Sequence, residues 1–233
     1  ILRYNSWQHI AQICILLAAR LAVLPTPHPL RVAIDGIDAS GKTCLADELA
    51  QALAAYARPV LRASIDGFHQ PRAARYQRGK ESPEGYYYDS FDDQRLCADL
   101  LQPLGPGGSR RFRRAVFDYR LDQPLELSEE VADPRTILLF DGIFLLRPEL
   151  ASFWDFHIFV QVSFETSLAR AMQRDLPLFG DPEAVQRRYV QRYFPAQRLY
   201  LESCHPLQKA DVVILNDDLA HPKMQMRASQ EID

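Results

Sequence analysis

Gly36-Ile37-Asp38-Ala39-Ser40-Gly41-Lys42-Thr43 is the stretch of this chain with the plainest chemical meaning. In a G-x-x-x-x-G-K-T turn the glycines let successive backbone N–H groups point inward at polyphosphate oxygens. The helix that follows adds its positive end, and the lysine and threonine reach phosphate and a magnesium ion. The pattern predicts a nucleoside triphosphate site made by Gly36, Asp38, Ala39, Ser40, Gly41, Lys42 and Thr43. A surface turn would satisfy the bare pattern too, but the context is more demanding. The apolar run Arg31-Val32-Ala33-Ile34-Asp35 leads in, and the segment after it is apolar at 45, 46, 49, 50, 52 and 53, which predicts a helix with one buried face.

Three acids recur at the ends of apolar runs: Asp35 before the turn, Asp66 after Val60–Ile65, and Asp141 after Ile137–Phe140. In open parallel sheets this carboxyl edge is the rim where ligands bind. If the sheet order brings Asp66 and Asp141 beside the turn, Asp141 can organise the magnesium shell with Thr43 while Asp66 accepts a proton from a substrate hydroxyl. Phosphoryl transfer needs mainly positioning and charge neutralisation, so one carboxylate, Lys42, a metal and a few arginines are sufficient equipment. An Asp66 poised against Lys42 and magnesium is expected to keep a low pKa and to act by orientation. The competing structural readings are a turn acid before Gly67, a strand-ending turn at Asp141-Gly142 and, preferred for Asp35, support of the loop.

Arg170 and Arg174 lie one turn apart on a predicted helix, just before a break at 176–182, and are assigned to the transferring phosphate. Arg187, Arg188 and Arg192 are alternative carriers of that charge, with the solvent face of a helix as their plainer reading. Between Phe68 and Lys80 cations alternate with aromatics, which suits an acceptor pocket with His69 as a hydrogen-bonding wall and Arg72 beside it. Tyr86, Tyr87 and Tyr88 are candidates to stack on a ring, Tyr87 among them as a substrate residue.

The elements that must hold these groups are legible. A leading helix over 6–24 ends at Pro25-Thr26-Pro27-His28-Pro29, since proline lacks a donor and restricts its predecessor. Core strands are predicted at 31–35, 60–66, 135–142, 156–160 and 210–215. Residues 67–88 read as an ordered loop, followed by a helix capped at Ser90 with Leu96, Leu100 and Leu101 inward. A small antiparallel excursion occupies 110–119 and 124–127, a helix spans 165–175, and a long helix runs over 183–203. Five strands interleaved with helices predict a doubly wound, mainly parallel α/β sheet with helices on both faces and a small β insertion. The expected organisation is an N-terminal helix and linker (1–30), a P-loop domain (31–216, insertion about 104–132, lid about 174–192) and a polar, peripheral tail (217–233).

Bulk properties exclude more than they assign. The chain has 233 residues, 47% of them hydrophobic, enough for one substantial core. Its 27 basic and 30 acidic groups leave a net charge of −3, so no global field recruits nucleic acid. Cys14, Cys44, Cys97 and Cys204 are scattered, with no metal-binding or disulfide spacing, and fit a reducing cytosol; Cys44 is expected to be a small buried helix residue. The apolar stretch 10–24 is shorter than the roughly 20 residues a bilayer needs and is expected to pack on the sheet, so no membrane partner is expected.

Taken together, the phosphate turn, Asp66-Gly67-Phe68-His69, the strand Leu138-Leu139-Phe140-Asp141-Gly142-Ile143-Phe144, Arg170 with Arg174-Asp175, and Lys209-Ala210-Asp211-Val212-Val213-Ile214 resemble the uridine kinase family, within the group that includes phosphoribulokinase and bacterial pantothenate kinase. The resemblance spans residues 31 to 216. It implies a P-loop kinase fold, ATP or alternatively GTP as donor, magnesium, and a small-molecule hydroxyl as acceptor, with Asp66 on the catalytic acid and Asp141 near the metal. It also implies that the aromatic-Asp-aromatic stretch Phe117-Asp118-Tyr119 helps hold a nucleoside. Two departures bear on the acceptor: the later family histidine is matched by Asp122, and closely spaced lid arginines are replaced by Leu176-Pro177-Leu178-Phe179-Gly180-Asp181. The expectation is a cytoplasmic kinase acting on a nucleoside such as uridine or cytidine, either monomeric or homo-oligomeric. Its rivals are a kinase for pantothenate, a sugar phosphate or another nucleoside-like metabolite, and a nucleotide-dependent regulatory protein.

Overall fold

Six strands form the central sheet of the computed structural model, which describes residues 3–227 and side-chain packing from residue 9. They are β1 (Leu30–Gly36), β2 (Val60–Ser64), β3 (Ile137–Asp141), β4 (Phe156–Gln161), β5 (Val212–Leu215) and β6 (Lys223–Met226), in the spatial order β6-β5-β4-β1-β3-β2. All pair in parallel except β6, which runs antiparallel on β5 at the edge. β6 falls in the stretch expected to be a peripheral tail, and residues 228–233 of that tail lie outside the described residues. Lys223-Met224-Gln225-Met226 has no apolar run to announce a strand; the exposed edge of β5 offers it a ladder of unpaired backbone groups.

β1 lies at the centre, wholly buried, and its residues alternate between two cores. Val32 and Ile34 face a core made with helices α1 (Arg3–Val23) and α2 (Lys42–Leu53), through Ile13, Leu17, Leu21, Leu45 and Leu49. Ala33, with Leu138 and Phe140 of β3, faces the other core, containing Leu96, Leu100, Phe144 and Tyr200. The leading helix thus packs on α2 and the sheet. No helix among the described residues is long and apolar enough to cross a membrane.

The segment expected to be a loop at 67–88 carries two short helices, Arg72–Arg75 and Pro83–Asp89. The next helix is capped by Asp92, whose side chain accepts from the Arg95 amide, rather than by Ser90. The insertion is two minimal ribbons: Arg111–Phe112 pairs with Glu130–Val131, and Phe117–Asp118 with Gln123–Pro124. Helix α3 (Phe164–Arg174) starts at a Ser163 cap. The expected break after it contains a single turn, Leu176–Phe179, closed by Gly180 at φ 73°. The long C-terminal rod that follows covers 182–204 and widens to a π turn at Tyr189–Tyr193. Pro195, just beyond that turn, cannot donate to the carbonyl one turn back and would collide with it, so a wider turn relieves the clash. Cys44, expected to be buried, is exposed on α2, because the buried stripe runs through 45, 46, 49 and 53.

Candidate active site

The phosphate turn joins the C-terminal end of β1 to the start of α2, and its backbone is forced by close quarters. Gly36 has φ 150°, and a Cβ there would strike the Val160 carbonyl of β4; Gly41 and even Ala39 also take positive φ, 99° and 54°. Beneath the turn Asp35 is completely buried. Its Oδ1 accepts the Gly36 amide at 2.7 Å and its Oδ2 accepts the Tyr200 hydroxyl, with His157 Nε2 at 3.5 Å. Asp35 therefore supports the loop from below.

Lys42 is 8% exposed and donates to the Ile37 carbonyl at 2.7 Å, so its ammonium sits folded within the turn. Burial lowers its pKa, and the charges of Asp38, Asp35 and Asp141 oppose that push. On the outer flank, Asn216 Nδ2 donates to the Ser40 carbonyl at 2.7 Å, and Arg170 bonds to Asn216 O at 2.6 Å and Ser40 O at 3.4 Å. Asn216 was not singled out from the sequence. Its position at the carboxyl end of β5, like Asp35 and Asp141 at the ends of theirs, is the signal that could have found it.

Asp141 ends β3 and lies in register with Ile34 of β1 and Ser64 of β2. Thr43 Oγ1 donates to its Oδ2 at 2.8 Å, and Arg62 donates to its Oδ1 at 3.0 Å. A hydroxyl and a carboxylate at this distance are the hard oxygen donors magnesium takes. Among the described residues no three His, Cys, Asp or Glu side chains converge. Magnesium here would therefore draw its remaining ligands from phosphate oxygens and water, as it commonly does.

Asp66 stands two residues past the strand expected to carry it: β2 ends at Ser64, whose Oγ accepts the Asp66 amide and starts a single 3₁₀ turn, Ile65–Phe68. Its carboxyl faces outward with the side chain 60% exposed. The low pKa expected of Asp66 is that of a carboxylate facing both Lys42 and magnesium; with Lys42 alone the balance tips the other way. Crowding by the cleft walls, then the charges of Asp141 and Asp38, push it up to about 6 against the pull of Lys42 and Arg174. The water retained on its open face makes about 6 an upper value. The ribbon insertion docks on this turn: Val116 N donates to the Gly67 carbonyl at 2.8 Å, and a Cβ on Gly67 would stand 2.7 Å from that of Ala115.

Beside Asp66 the His69 ring stacks on Tyr119 (centroids 4.7 Å apart, planes 27° apart) and leans on Phe91. His69 Nδ1 lies 3.0 Å from the Asp66 carbonyl, which can only accept, so Nδ1 carries the proton and Nε2 is left as an acceptor. Burial pushes the imidazole down to about 4, which keeps it neutral. Asp122, matched to the missing family histidine, instead accepts from the Arg72 amide at 2.8 Å and the Arg75 guanidinium at 3.2 Å; Arg72 itself is exposed.

Two other expected ring contacts go elsewhere. Tyr87 is a core residue, 5% exposed, with its hydroxyl against Ser203 and Cys204; the neighbouring Tyr86 faces the phosphate turn and donates to Asp38 Oδ2 at 2.8 Å. A helix turns adjacent residues about 100° apart, so only one of two neighbouring tyrosines can look into the cleft. Phe117 is likewise packed in the core, while Asp118 caps the amides of Arg120 and Leu121.

The arginines divide by task. Arg174 is held by Asp175 at 2.6 Å and lies near Tyr189 Oη at 3.0 Å; its charge is felt at Lys42 and Asp66. Arg170 faces the outer flank of the turn, so the two residues of one helix face serve different sides. Arg187 is a surface residue paired with Glu183 and Asp181. Arg188 bonds to Lys80 O and Glu81, and the almost wholly buried Arg192 to Gly79 O and Lys80 O; both guanidinium groups lie over the Tyr76 ring.

The chain has relatives among known proteins. A uridine kinase of Bacillus cytotoxicus is 27% identical over 197 residues, covering 81% of this chain and 86% of its own. A solved structure described as a possible uridine kinase from Bacillus stearothermophilus superposes with a TM-score of 0.69 at 26% identity, over 87% of this chain and 97% of the other. A proposed fructose transport system kinase from Silicibacter sp. TM1040 follows at 0.66 and 26%, over 83% and 94%. The family model described as Phosphoribulokinase / Uridine kinase matches residues 32–217, which takes in the phosphate turn, Asp66, Asp141 and α3. The mainly parallel sheet, the turn at its central strand and that match lead to one conclusion: this chain belongs to the phosphoribulokinase and uridine kinase family of ATP- and magnesium-using small-molecule kinases.

Proposed function

We propose that the protein transfers the terminal phosphoryl group of ATP to a hydroxyl of a nucleoside, with uridine and cytidine as first candidates. The observation that carries this reading is the stacked His69–Tyr119 pair beside Asp66. It offers a flat aromatic shelf and a neutral acceptor nitrogen next to a carboxylate of raised pKa, which suits a ring bearing a donor and a sugar bearing a hydroxyl. The imidazole missing at position 122 is thus supplied from position 69.

In this reading the turn and Lys42 hold the donor's phosphates, while Thr43 and Asp141 would hold magnesium, whose charge would offset that of the phosphates. Asp66 orients the acceptor hydroxyl and takes its proton as the new O–P bond forms and the bond from the terminal phosphorus to the oxygen of the departing ADP breaks. Arg174 offsets charge on the transferring group, and Arg170 steadies the turn from outside. Closure of the 174–192 segment would keep water, itself an acceptor, away from the phosphorus.

The test is ATP and magnesium with uridine, cytidine, other nucleosides, pantothenate and sugar phosphates, the product identified by mass. A phosphorylated pyrimidine nucleoside is the expected outcome. Asp66→Asn should lower kcat by about 10²- to 10⁴-fold while ATP affinity stays within twofold. Slow hydrolysis indifferent to every acceptor would instead favour a nucleotide-dependent regulatory protein.

A further inference from the structure

Asp38 lies inside the phosphate turn, two residues past Gly36, where a negative charge is unwelcome beside a triphosphate. Its Oδ2 is saturated by two donors, the Tyr86 hydroxyl at 2.8 Å and Gln197 Nε2 at 2.5 Å. Both donors come from outside the turn: Tyr86 from the helix at 83–89, Gln197 from the C-terminal rod. The backbone is held too, since Ser167 Oγ donates to the Asp38 carbonyl at 2.7 Å. Oδ1 takes part in no side-chain bond among the described residues. Gln197 is 1% exposed, and its Oε1 is buried without a partner, so the carboxamide that fixes Asp38 leaves a second acceptor atom unmet nearby. The charge of Asp38 is felt at Lys42, Asp66 and Arg174, the groups assigned above to the donor, the acceptor hydroxyl and the transferring phosphate.

A carboxylate fixed from two elements, on a backbone held by a third, with one oxygen unbonded among the described residues, is organised to accept, and ATP's terminal phosphate has nothing to donate to it. An acceptor molecule with several hydroxyls does. We propose that Asp38 is a specificity-determining residue whose free Oδ1 accepts a second, non-reacting hydroxyl of the acceptor and whose charge excludes acceptors carrying a phosphate or carboxylate near the reacting hydroxyl. This rests on the reading of the protein as a kinase acting on a hydroxyl, and narrows its acceptors to neutral polyhydroxylated molecules. The bland alternative is that Asp38 merely ties Tyr86 and Gln197 to the turn; the two make opposite statements about the donor and the acceptor.

Asp38→Asn removes the charge with little change of shape, and Asp38→Ser removes the reach as well. With the neutral acceptor identified by the panel, both should raise its KM at least tenfold. ATP affinity, read by equilibrium binding, should hold or tighten because a like charge has gone. The analogue of that acceptor lacking one non-reacting hydroxyl should lose at least tenfold in kcat/KM with the unaltered protein, and little further with Asp38→Asn. The ratio of neutral to anionic acceptors should fall at least tenfold in both variants. A parallel weakening of ATP and acceptor, or an unchanged acceptor KM, would reduce Asp38 to a structural tie. Turnover of anionic acceptors only would overturn the inference and leave the kinase reading standing, whereas no acceptor-dependent turnover at all would remove both.

Discussion

At the scale of single residues, the site turns on how one carboxyl is held. Asp66 lies where the cleft walls, then the charges of Asp141 and Asp38, push its pKa upward, with about 6 as the upper value. In the proposed mechanism the ionised form is the one that takes a proton, so kcat/KM should fall about tenfold per pH unit on an acid limb that begins no higher than about pH 6 and lies above the usual carboxylate range, measured as a pH profile with acceptor well below its KM. A limb near pH 4 would mean the open face of Asp66 outweighs its neighbours. The same elevation has a thermodynamic side. A carboxyl whose folded pKa exceeds its unfolded one binds more protons in the folded state between about pH 4 and 6, so stability falls as pH rises through that window. Asp66→Asn, which cannot ionise, should therefore raise Tm at pH 8 even as it lowers kcat, and should raise it less at pH 4. Loss of Tm at pH 8 would show that the carboxylate is bound to something that stabilises it.

At the scale of elements, the rod at 182–204 separates arginines that look alike in sequence. Arg192 is buried, bonded to the carbonyls of Gly79 and Lys80 and stacked over Tyr76 and Tyr86 at 5.0 and 5.5 Å, whereas Arg187 points to solvent. Arg192→Ala would strip those carbonyls of a donor and empty the space between two rings, at a cost of about 2–4 kcal/mol. Arg187→Ala should stay within about 0.5 kcal/mol. Denaturant titration of both variants checks the contrast, and equal effects would mean that the 75–81 segment is not held by the rod. Because that segment also carries Arg75 and follows His69, Arg192→Ala should raise acceptor KM as well.

At the scale of the whole molecule, the phosphate turn stands between two cores, and one of them is completed by α1. Leu17 is 1% exposed among Leu21, Leu45 and Leu49. Leu17→Ala should cost about 2–5 kcal/mol in urea unfolding, because the cavity would open between α1 and the helix that begins at Lys42. If α1 were instead a loosely attached arm, the variant would unfold with unchanged midpoint and only local loss of helix signal.

Much of this architecture is readable along the chain because it is made by local rules. The phosphate turn has its own geometry, the strands at 30–36, 137–141 and 156–161 announce themselves by continuous apolar runs, and the buried stripe of α2 follows from helical period. The positions of Asp66 and Asp141 near strand ends followed from the same reading. The edge strand at 223–226 did not, because it exists through pairing with β5 rather than through its own residues. Which of Tyr86 and Tyr87 faces the turn is a matter of one 100° step of helix, invisible until the helix is docked. The charges that raise the pKa of Asp66 come from 28 and 75 positions away, and the His69–Tyr119 stack and the bond from Gln197 to Asp38 join residues 50 and 159 positions apart. The sequence by itself determined the phosphate turn and the parallel α/β frame, since backbone conformation and hydrophobic period are short-range properties. Only the tertiary structure decided which side chains surround the reacting groups, since electrostatic and packing environments are sums over neighbours that chain order does not place together.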